Sequence, residues 1–498
     1  MKLALLLEGV ELARPVPGPW LELEIEGLDY DSRRVRPGWG FFAFPGSRTS
    51  GALFARDALA RGAVAVFSEL PAPDDFPAPW IEVARGRRSL AVMSRRLYGF
   101  PDEALRLTGV TGTNGKTTTV FAIDAMLRHA GRLTGMAGTV LYRLGAREQT
   151  AVNTTPESLD LVRMMDEVRR AGGTDFIFEV SSHALALERV YGLRFHTAVF
   201  TNLTQDHLDF HGTMENYFAA KQRLFTGAGG PPPAFAILNA DDPWSARIET
   251  TPPTERWTYG TGRGARFRAV NVEADFRGLR FDIEHPQGRS RIVSPLCGLF
   301  NVGNLTAAFA AGLALGLDAD AAAAGLAACP AVPGRFERVD QGQPFLVVVD
   351  YAHTEDALKN LIEAARALAP RRVITVFGCG GDRDKSKRPR MGETAARLSD
   401  FVVVTSDNPR SENPLDIIND ILVGVRRHDT PHRVEPDRES AIRLAIGQAS
   451  AGDIVLIAGK GHETCQVLAD RTIPFDDREA ARRVLESFGY AAAREQAP

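Results

Sequence analysis

A chain of 498 residues exceeds what one hydrophobic core can organise, and its length alone implies two to four domains. Apolar residues at 44% and charged residues at 24% describe a folded globular protein and exclude a disordered or membrane-embedded one. A formal net charge of −3 gives no bulk attraction to nucleic acid or to an anionic membrane, so any anionic ligand must be small and held locally.

Cys297, Cys329, Cys379 and Cys465 form no C-x-x-C pair, which argues against a zinc ribbon and a disulfide framework and for a reducing, cytoplasmic setting. The opening run Met1–Glu8 is too short for a signal sequence or a membrane span.

In chain order, residues 1–97 mix short apolar runs with turn clusters at Pro37-Gly38 and Pro45-Gly46. A Pro-rich stretch, 71–79, separates the strand-like runs Ala63–Phe67 and Trp80–Val83, and a small α/β domain is predicted. Residues 98–332 alternate compact apolar runs (106–111, 176–180, 197–200 and 235–238) with helical stretches, the pattern of a mainly parallel sheet covered on both faces. Alternating segments over 267–296 read as antiparallel strands, and helices are predicted over 304–315 and 319–328. Pro330 and Pro333-Gly334 mark the boundary of a third domain, 333–498. Its runs at 345–349, 373–377, 401–404 and 454–457 alternate with helices as in a doubly wound, Rossmann-like sheet.

Chemistry concentrates in a few of these segments. Gly109–Thr119, reading GVTGTNGKTTT, joins a strand to a helix. Gly112 and Gly115 let backbone N–H groups approach phosphate oxygens, Lys116 can bridge the β- and γ-phosphates, and the Thr117 hydroxyl can complete a Mg²⁺ shell. The strict phosphate-loop spacing is missed, because Val110 stands where the first glycine belongs, so this is a variant loop. Glu179 ends a buried run, where open α/β sheets place ligand-binding residues, and its carboxylate can hold Mg²⁺. His207 follows the next strand, and Lys221 lies on the helical stretch 214–221. Alone, each has an ordinary reading, as a cap, an ion-pair partner or a solvated lysine.

Taken together, Thr111–Thr118, Glu179–His183 (EVSSH), Asn202–Asp209 (NLTQDHLD), Phe300–Asn304 (FNVGN), Gly334–Glu337 (GRFE) and Asp350–His353 (DYAH), in that order, resemble the murein peptide ligases over nearly the whole chain. Within the family the likeness is to the members that add the third residue of the peptide stem. It implies three α/β domains: a UDP-sugar-binding domain (1–97), a central ATP-binding domain (98–332) and a C-terminal amino-acid-binding domain (333–498). The implied reaction is an ATP-dependent, ADP-forming amide ligation through an acyl phosphate. It extends UDP-N-acetylmuramoyl-L-alanyl-D-glutamate in peptidoglycan synthesis, by a monomer without nucleic-acid or membrane partners.

By the same resemblance, Gly112, Thr113, Asn114, Gly115, Lys116, Thr117 and Thr118 would hold ATP, with Asn301 at the adenine and Arg335 and Asp350 reaching the nucleotide. Thr117 and Glu179 would serve one Mg²⁺, and His207 with Lys221 a second, Lys221 carrying CO₂ as a carbamate. Lys116, Glu179, His207 and Lys221 form the catalytic set. Ser32, in Asp31-Ser-Arg33, matches the uridine segment, and Asn153, Thr154, Thr155, Ser181 and Arg189 match the positions holding the muramoyl peptide. Leu187 departs from the family pattern where relatives often carry glutamine, as does Ser50 where an aspartate is common.

The amino acid added is read from the third domain. Arg383, in GGDRDK, and Arg410, in Asp407-Asn408-Pro409-Arg410, can each pair bidentately with a carboxylate, and a free α-carboxylate requires only one. A second arginine suggests a substrate with two carboxylates. The resemblance of Asp-Asn-Pro-Arg is to enzymes adding meso-diaminopimelate, with Gly459 and Glu463 at the distal centre. The bland alternative pairs Arg410 with Glu412 or Asp407. Other readings are the same ligase adding L-lysine or L-ornithine, a folylpolyglutamate synthetase, and a nucleotide-binding switch without ligase chemistry. The domain ahead of the phosphate loop argues against the synthetase.

Overall fold

The computed structural model describes residues 1–45 and 50–491, so Gly46 of the Pro45-Gly46 cluster lies outside the described residues. The chain forms two compact units, one of residues 1–116, 127–258 and 310–317, the other of 117–126, 259–309 and 318–498. Among the described residues no helix is long and apolar enough to cross a membrane.

The first unit opens with a four-stranded parallel sheet of Gly27–Asp29, Trp39–Ala43, Ala65–Ser68 and Trp80–Glu82 in chain order. Every residue of Ala65–Ser68 is buried, as a parallel strand covered on both faces requires. Phe42 and Phe67 stack at 4.8 Å in a core shared with Leu90 and Met93 of the helix Gly86–Leu97.

The same unit contains a second sheet. Its parallel core has the order Phe235–Asn239, Phe195–Phe200, Arg106–Thr111, Asp175–Glu179, Thr134–Ala137. Arg106–Thr111 is central, with Val110 opposite Glu179 on one side and Thr111 opposite Phe200 on the other. The chain next to it runs one way to 134–137 and later the other way to 195–200. The carboxyl end of 106–111 is therefore a topological switch point, where doubly wound sheets open a crevice for ligands. A hairpin of Leu141–Leu144 and Arg147–Thr150, not foreseen from the sequence, extends the edge in antiparallel fashion.

The second unit carries the expected antiparallel ribbon, Phe267–Asp275, Gly278–His285 and Gly288–Ser294, and a six-stranded sheet. In that sheet Leu346–Asp350, Ile454–Ala458, Val373–Phe377, Phe401–Val404 and His432–Val434 are parallel, and Glu337–Val339 is antiparallel at one edge. Apolar clusters line both faces, Leu358, Ile362, Met391 and Ile421 on one and Ile442, Ala445, Val484 and Leu485 on the other. The mixed α/β class with large, mainly parallel sheets agrees with the sequence reading.

Candidate functional site

Three adjacent strand ends of the first unit build the phosphate loop and its surroundings. After Thr111 the chain turns through Gly112 (φ 147°) and Gly115 (φ 84°), and the helix Lys116–His129 begins at once. Only glycine fits at 112: its φ lies in the region L side chains rarely adopt, and a Cβ would collide with the Thr201 hydroxyl.

The loop is sewn to the segment after Phe200. Thr113 N donates to Asn202 O at 2.9 Å, and Asn114 N to Asn202 Oδ1 at 2.9 Å. Thr201 Oγ1 donates to Asn114 O at 2.6 Å, and Thr204 N to Thr113 Oγ1 at 3.0 Å. Lys116 folds back over the loop, its Nζ donating to the carbonyls of Gly112 (3.1 Å) and Thr113 (2.8 Å). Thr117 and Thr118, the next residues of the helix, are buried. The two group with the second unit, where Arg335 Nη2 donates to Thr117 Oγ1 at 3.3 Å.

Lys221 is 2% exposed. It lies on the helix Met214–Gln222, whose Thr213 cap accepts from Asn216 N, and its Nζ donates to Gly112 O at 2.8 Å above the Tyr217 ring. Burial, and then the neighbouring Lys116 charge, hold its pKa well below the usual lysine range. Tyr217 went unassigned in the sequence, yet it lies four residues before Lys221 on the same helical face and its hydroxyl lies 3.2 Å from Thr113 Oγ1.

On the other flank Glu179, 1% exposed, accepts from Thr139 N at 2.7 Å and from Thr139 Oγ1 at 3.1 Å. Thr139 is a second residue that the sequence did not mark. His207, at φ 54° and with its side chain 45% exposed, lies 3.4 Å from Asp206 and packs edge-on against His183. Its pKa is lowered to about 4, chiefly by the desolvation of its packed ring face and further by His183, Lys116 and Lys221, so the imidazole is neutral at neutral pH.

The segment expected to hold the muramoyl peptide adjoins Glu179. Thr155 Oγ1 donates to Glu179 O at 2.8 Å, Ser181 N donates to Thr155 Oγ1 at 3.0 Å, and Thr154 Oγ1 lies 3.1 Å from Thr139 Oγ1. Tyr142, from the unforeseen hairpin, donates to Asn153 O at 2.6 Å and accepts from Asn153 N at 2.8 Å. Arg189 donates to Thr155 O and to Glu157, both at 2.9 Å. Five of the six substrate-side residues expected in this unit are thus gathered beside Glu179. Ser32 is not among them. It starts the turn Ser32–Arg34, tied instead to the helix Ser158–Arg170 through Tyr30–Asp160 and through Arg163–Asp29 at 3.1 Å.

In the second unit, Asp350 ends a buried strand and accepts from Phe336 N (2.6 Å) and Ala352 N (2.8 Å), while burial raises its pKa. Arg335 lies over the Tyr351 ring, and its Nε is buried without a hydrogen bond. Asn301 directs its amide inward, donating to Cys297 O at 2.7 Å and accepting from Asn304 at 2.9 Å.

The residues expected to bind the amino acid do converge. Gly380 is bordered by both arginines: a Cβ there would lie 2.9 Å from Arg410 Nη1 and 3.8 Å from the Arg383 stem. Arg410 Nη1 donates to Gly381 O at 2.8 Å, and among the described residues no carboxylate lies within ion-pair distance of it. Glu412 is instead claimed by the buried Arg388 (2.8 and 3.0 Å) and by Lys385 (3.1 Å), so the simple Arg410–Glu412 pairing does not form. Arg383 is exposed, Asp407 and Asn408 are buried, and Pro409 is buried between them and Arg410. Asn408 Nδ2 donates to Glu463 at 2.8 Å, while Gly459 (φ 116°) lies against Asp407, whose Oδ2 would be 2.6 Å from a Cβ there.

Three families match successive parts of the sequence: "Mur ligase family, catalytic domain" at 24–98, "Mur ligase middle domain" at 110–312 and "Mur ligase, glutamate ligase domain" at 334–461. The chain is 61% identical over 490 residues to a UDP-N-acetylmuramoyl-L-alanyl-D-glutamate–2,6-diaminopimelate ligase of Solibacter usitatus, covering 98% of this chain and 99% of that protein. To the protein of the same name in Geobacillus kaustophilus it is 46% identical, covering 95% and 98%. A solved structure of a ligase of that name superposes with TM-score 0.69 at 31% identity, covering 99% of this chain and all of that one. Identity of this order over almost the entire length means that the chain belongs to the Mur ligase family.

Proposed function

We infer that this chain is an ATP-dependent, amide-forming ligase that adds meso-diaminopimelate to UDP-N-acetylmuramoyl-L-alanyl-D-glutamate. The observation that carries this is the 61% identity to a full-length relative of that name. The geometry fits, with a glycine-rich loop at a sheet's switch point flanked by a buried carboxylate and a buried lysine, and two arginines beside Gly380.

In this reading Gly112–Thr118 cradle the ATP phosphates, with Lys116 released from its own loop carbonyls to the β- and γ-oxygens. The acceptor carboxylate forms an O–P bond to the γ-phosphorus as the bond to the ADP oxygen breaks. The amine of the incoming residue then forms the amide and phosphate leaves. Asn153–Thr155, Ser181 and Arg189 hold the acceptor peptide, Ser32 the uridine, and Asn301, Arg335 and Asp350 the rest of the nucleotide. Domain roles follow as 1–97 for the UDP-sugar, 98–332 for ATP and 333–498 for the amino acid.

Mg²⁺ fits the donor set. Mg²⁺ is held by one or two carboxylates supplemented by hydroxyl, phosphate and water oxygens, and the buried Glu179 carboxylate is a donor of that kind. Glu179, with Thr117, would hold one ion and His207 with Lys221 another, each screening phosphate charge. An ammonium at Lys221 would oppose a cation. A buried amine whose pKa is depressed gives up its proton more readily, however, and the free amine is a nucleophile for CO₂, the resulting carbamate supplying an anionic oxygen. Arg383 and Arg410 would bind the two carboxylates of diaminopimelate, with Asp407, Asn408, Pro409, Gly459 and Glu463 around the distal amine.

The test is phosphate release from ATP with the UDP-linked dipeptide and, separately, meso-diaminopimelate, L-lysine or L-ornithine. Release that requires diaminopimelate supports the reading. Release with lysine or ornithine alone would move the substrate, and release independent of any amino acid would leave a nucleotide switch.

A further inference from the structure

We propose that Lys460 is the positioning residue of the distal amino-acid site, fixing the Asn408 amide and leaving one oxygen of Glu463 for the incoming ammonium. The inference rests on the amino-acid site assigned above. Lys460 is completely buried, a costly setting for an ammonium unless it is paired. Its Nζ donates to Asn408 Oδ1 at 3.0 Å and to Glu463 Oε2 at 3.0 Å. Asn408 Nδ2 closes the triangle on the same Glu463 oxygen at 2.8 Å, and Val467 N gives Asn408 Oδ1 its second donor at 3.0 Å.

This network has one orientation. Flipping the Asn408 amide would set its NH₂ against both the ammonium and the Val467 N–H, so Lys460 decides which way that side chain faces. Both bonds to Glu463 fall on Oε2. Oε1 receives no hydrogen bond from a described residue, and Glu463 retains 29% of its side-chain exposure while Lys460 retains none. The carboxylate is thus anchored by one oxygen in a partly exposed side chain, leaving the other as an acceptor suited to a primary ammonium beside a carboxylate bound by arginine.

Lys460→Met and Lys460→Gln, in the full chain, test this through separate KM values for the amino acid that the wild type turns over, for ATP and for the UDP-linked acceptor. The account predicts a roughly 10- to 100-fold rise in KM for the amino acid, the loss expected for a charged hydrogen-bond anchor, with the other two KM values and kcat little changed. Because Lys460 acts through Glu463, its substitution in a Glu463→Gln background should add little. Fully additive losses, parallel rises in all three KM values, or no change in the amino-acid KM would each overturn the proposal. If the methionine variant does not fold, the glutamine variant, which retains a polar partner for Asn408, decides by the same comparisons. A wild type inactive with every amino acid would overturn the ligase reading, and this inference with it.

Discussion

Truncating Arg410 to alanine separates recognition of a distal carboxylate from support of the fold. Among the described residues the side chain makes one hydrogen bond, to Gly381 O at 2.8 Å, and the nearby Glu412 is engaged by Arg388 and Lys385. Its removal therefore costs the fold about 0.5–1.5 kcal/mol. Against a substrate carboxylate the same guanidinium forms charge-assisted bonds, and losing them costs about 1.5–3 kcal/mol, or roughly a 10- to 150-fold rise in KM. Steady-state kinetics of wild type and Arg410→Ala, paired with urea denaturation, should show that rise in the meso-diaminopimelate KM with the ATP KM little changed. Equal rises in both KM values would overturn this role for Arg410, as would an unchanged diaminopimelate KM.

Lys221→Met should abolish turnover while the chain stays folded, since it removes a buried amine, and ¹³C-bicarbonate should give a carbamate carbonyl resonance in the wild type that is absent from the variant. Glu412, whose pKa is lowered to about 2 chiefly by its hydrogen bond to Arg388, contributes stability above its unfolded pKa of about 4.5 that is lost as pH falls towards 2. The stability gap between wild type and Glu412→Gln should accordingly be widest near neutrality and narrow below about pH 4.5, as read by denaturation at stepped pH. Arg438 is fully buried and donates to both Asp477 oxygens at 2.7 Å and to the carbonyls of Ser406 (3.2 Å) and Ala458 (3.0 Å). Arg438→Met should destabilise by about 3–5 kcal/mol by stranding Asp477, and adding Asp477→Leu should recover most of that loss.

The parts legible in the sequence were those dictated by local pattern. Val373–Phe377 and Phe401–Val404 were delimited correctly because continuous β-branched and aromatic runs have few alternatives to a buried parallel strand. Glu179 could be placed beside the phosphate loop because it ends the strand next to 106–111. The helix at 300 was expected to start four residues late, since Asn301, Val302 and Gly303 are poor helix formers whose placement is decided by packing. Arg388, Arg438 and Lys460 were beyond sequence reading for a different reason. Arg388 and Arg438 are stabilised by carboxylates 24 or more residues away, and the Lys460–Glu463 pair, though three residues apart, reads in sequence like any solvated neighbouring pair until Asn408 closes over it. Thr139 and Tyr142 were missed because their partners, Glu179 and the backbone of 152–153, meet them only through the hairpin.

Ligation and the choice of amino acid can be read together by offering the enzyme ATP, Mg²⁺ and the UDP-linked dipeptide with equal concentrations of meso-diaminopimelate, L-lysine and L-ornithine, then weighing the nucleotide product by mass spectrometry. A single tripeptide product bearing diaminopimelate is expected. A product bearing lysine or ornithine, or an unextended dipeptide alongside hydrolysed ATP, would contradict it.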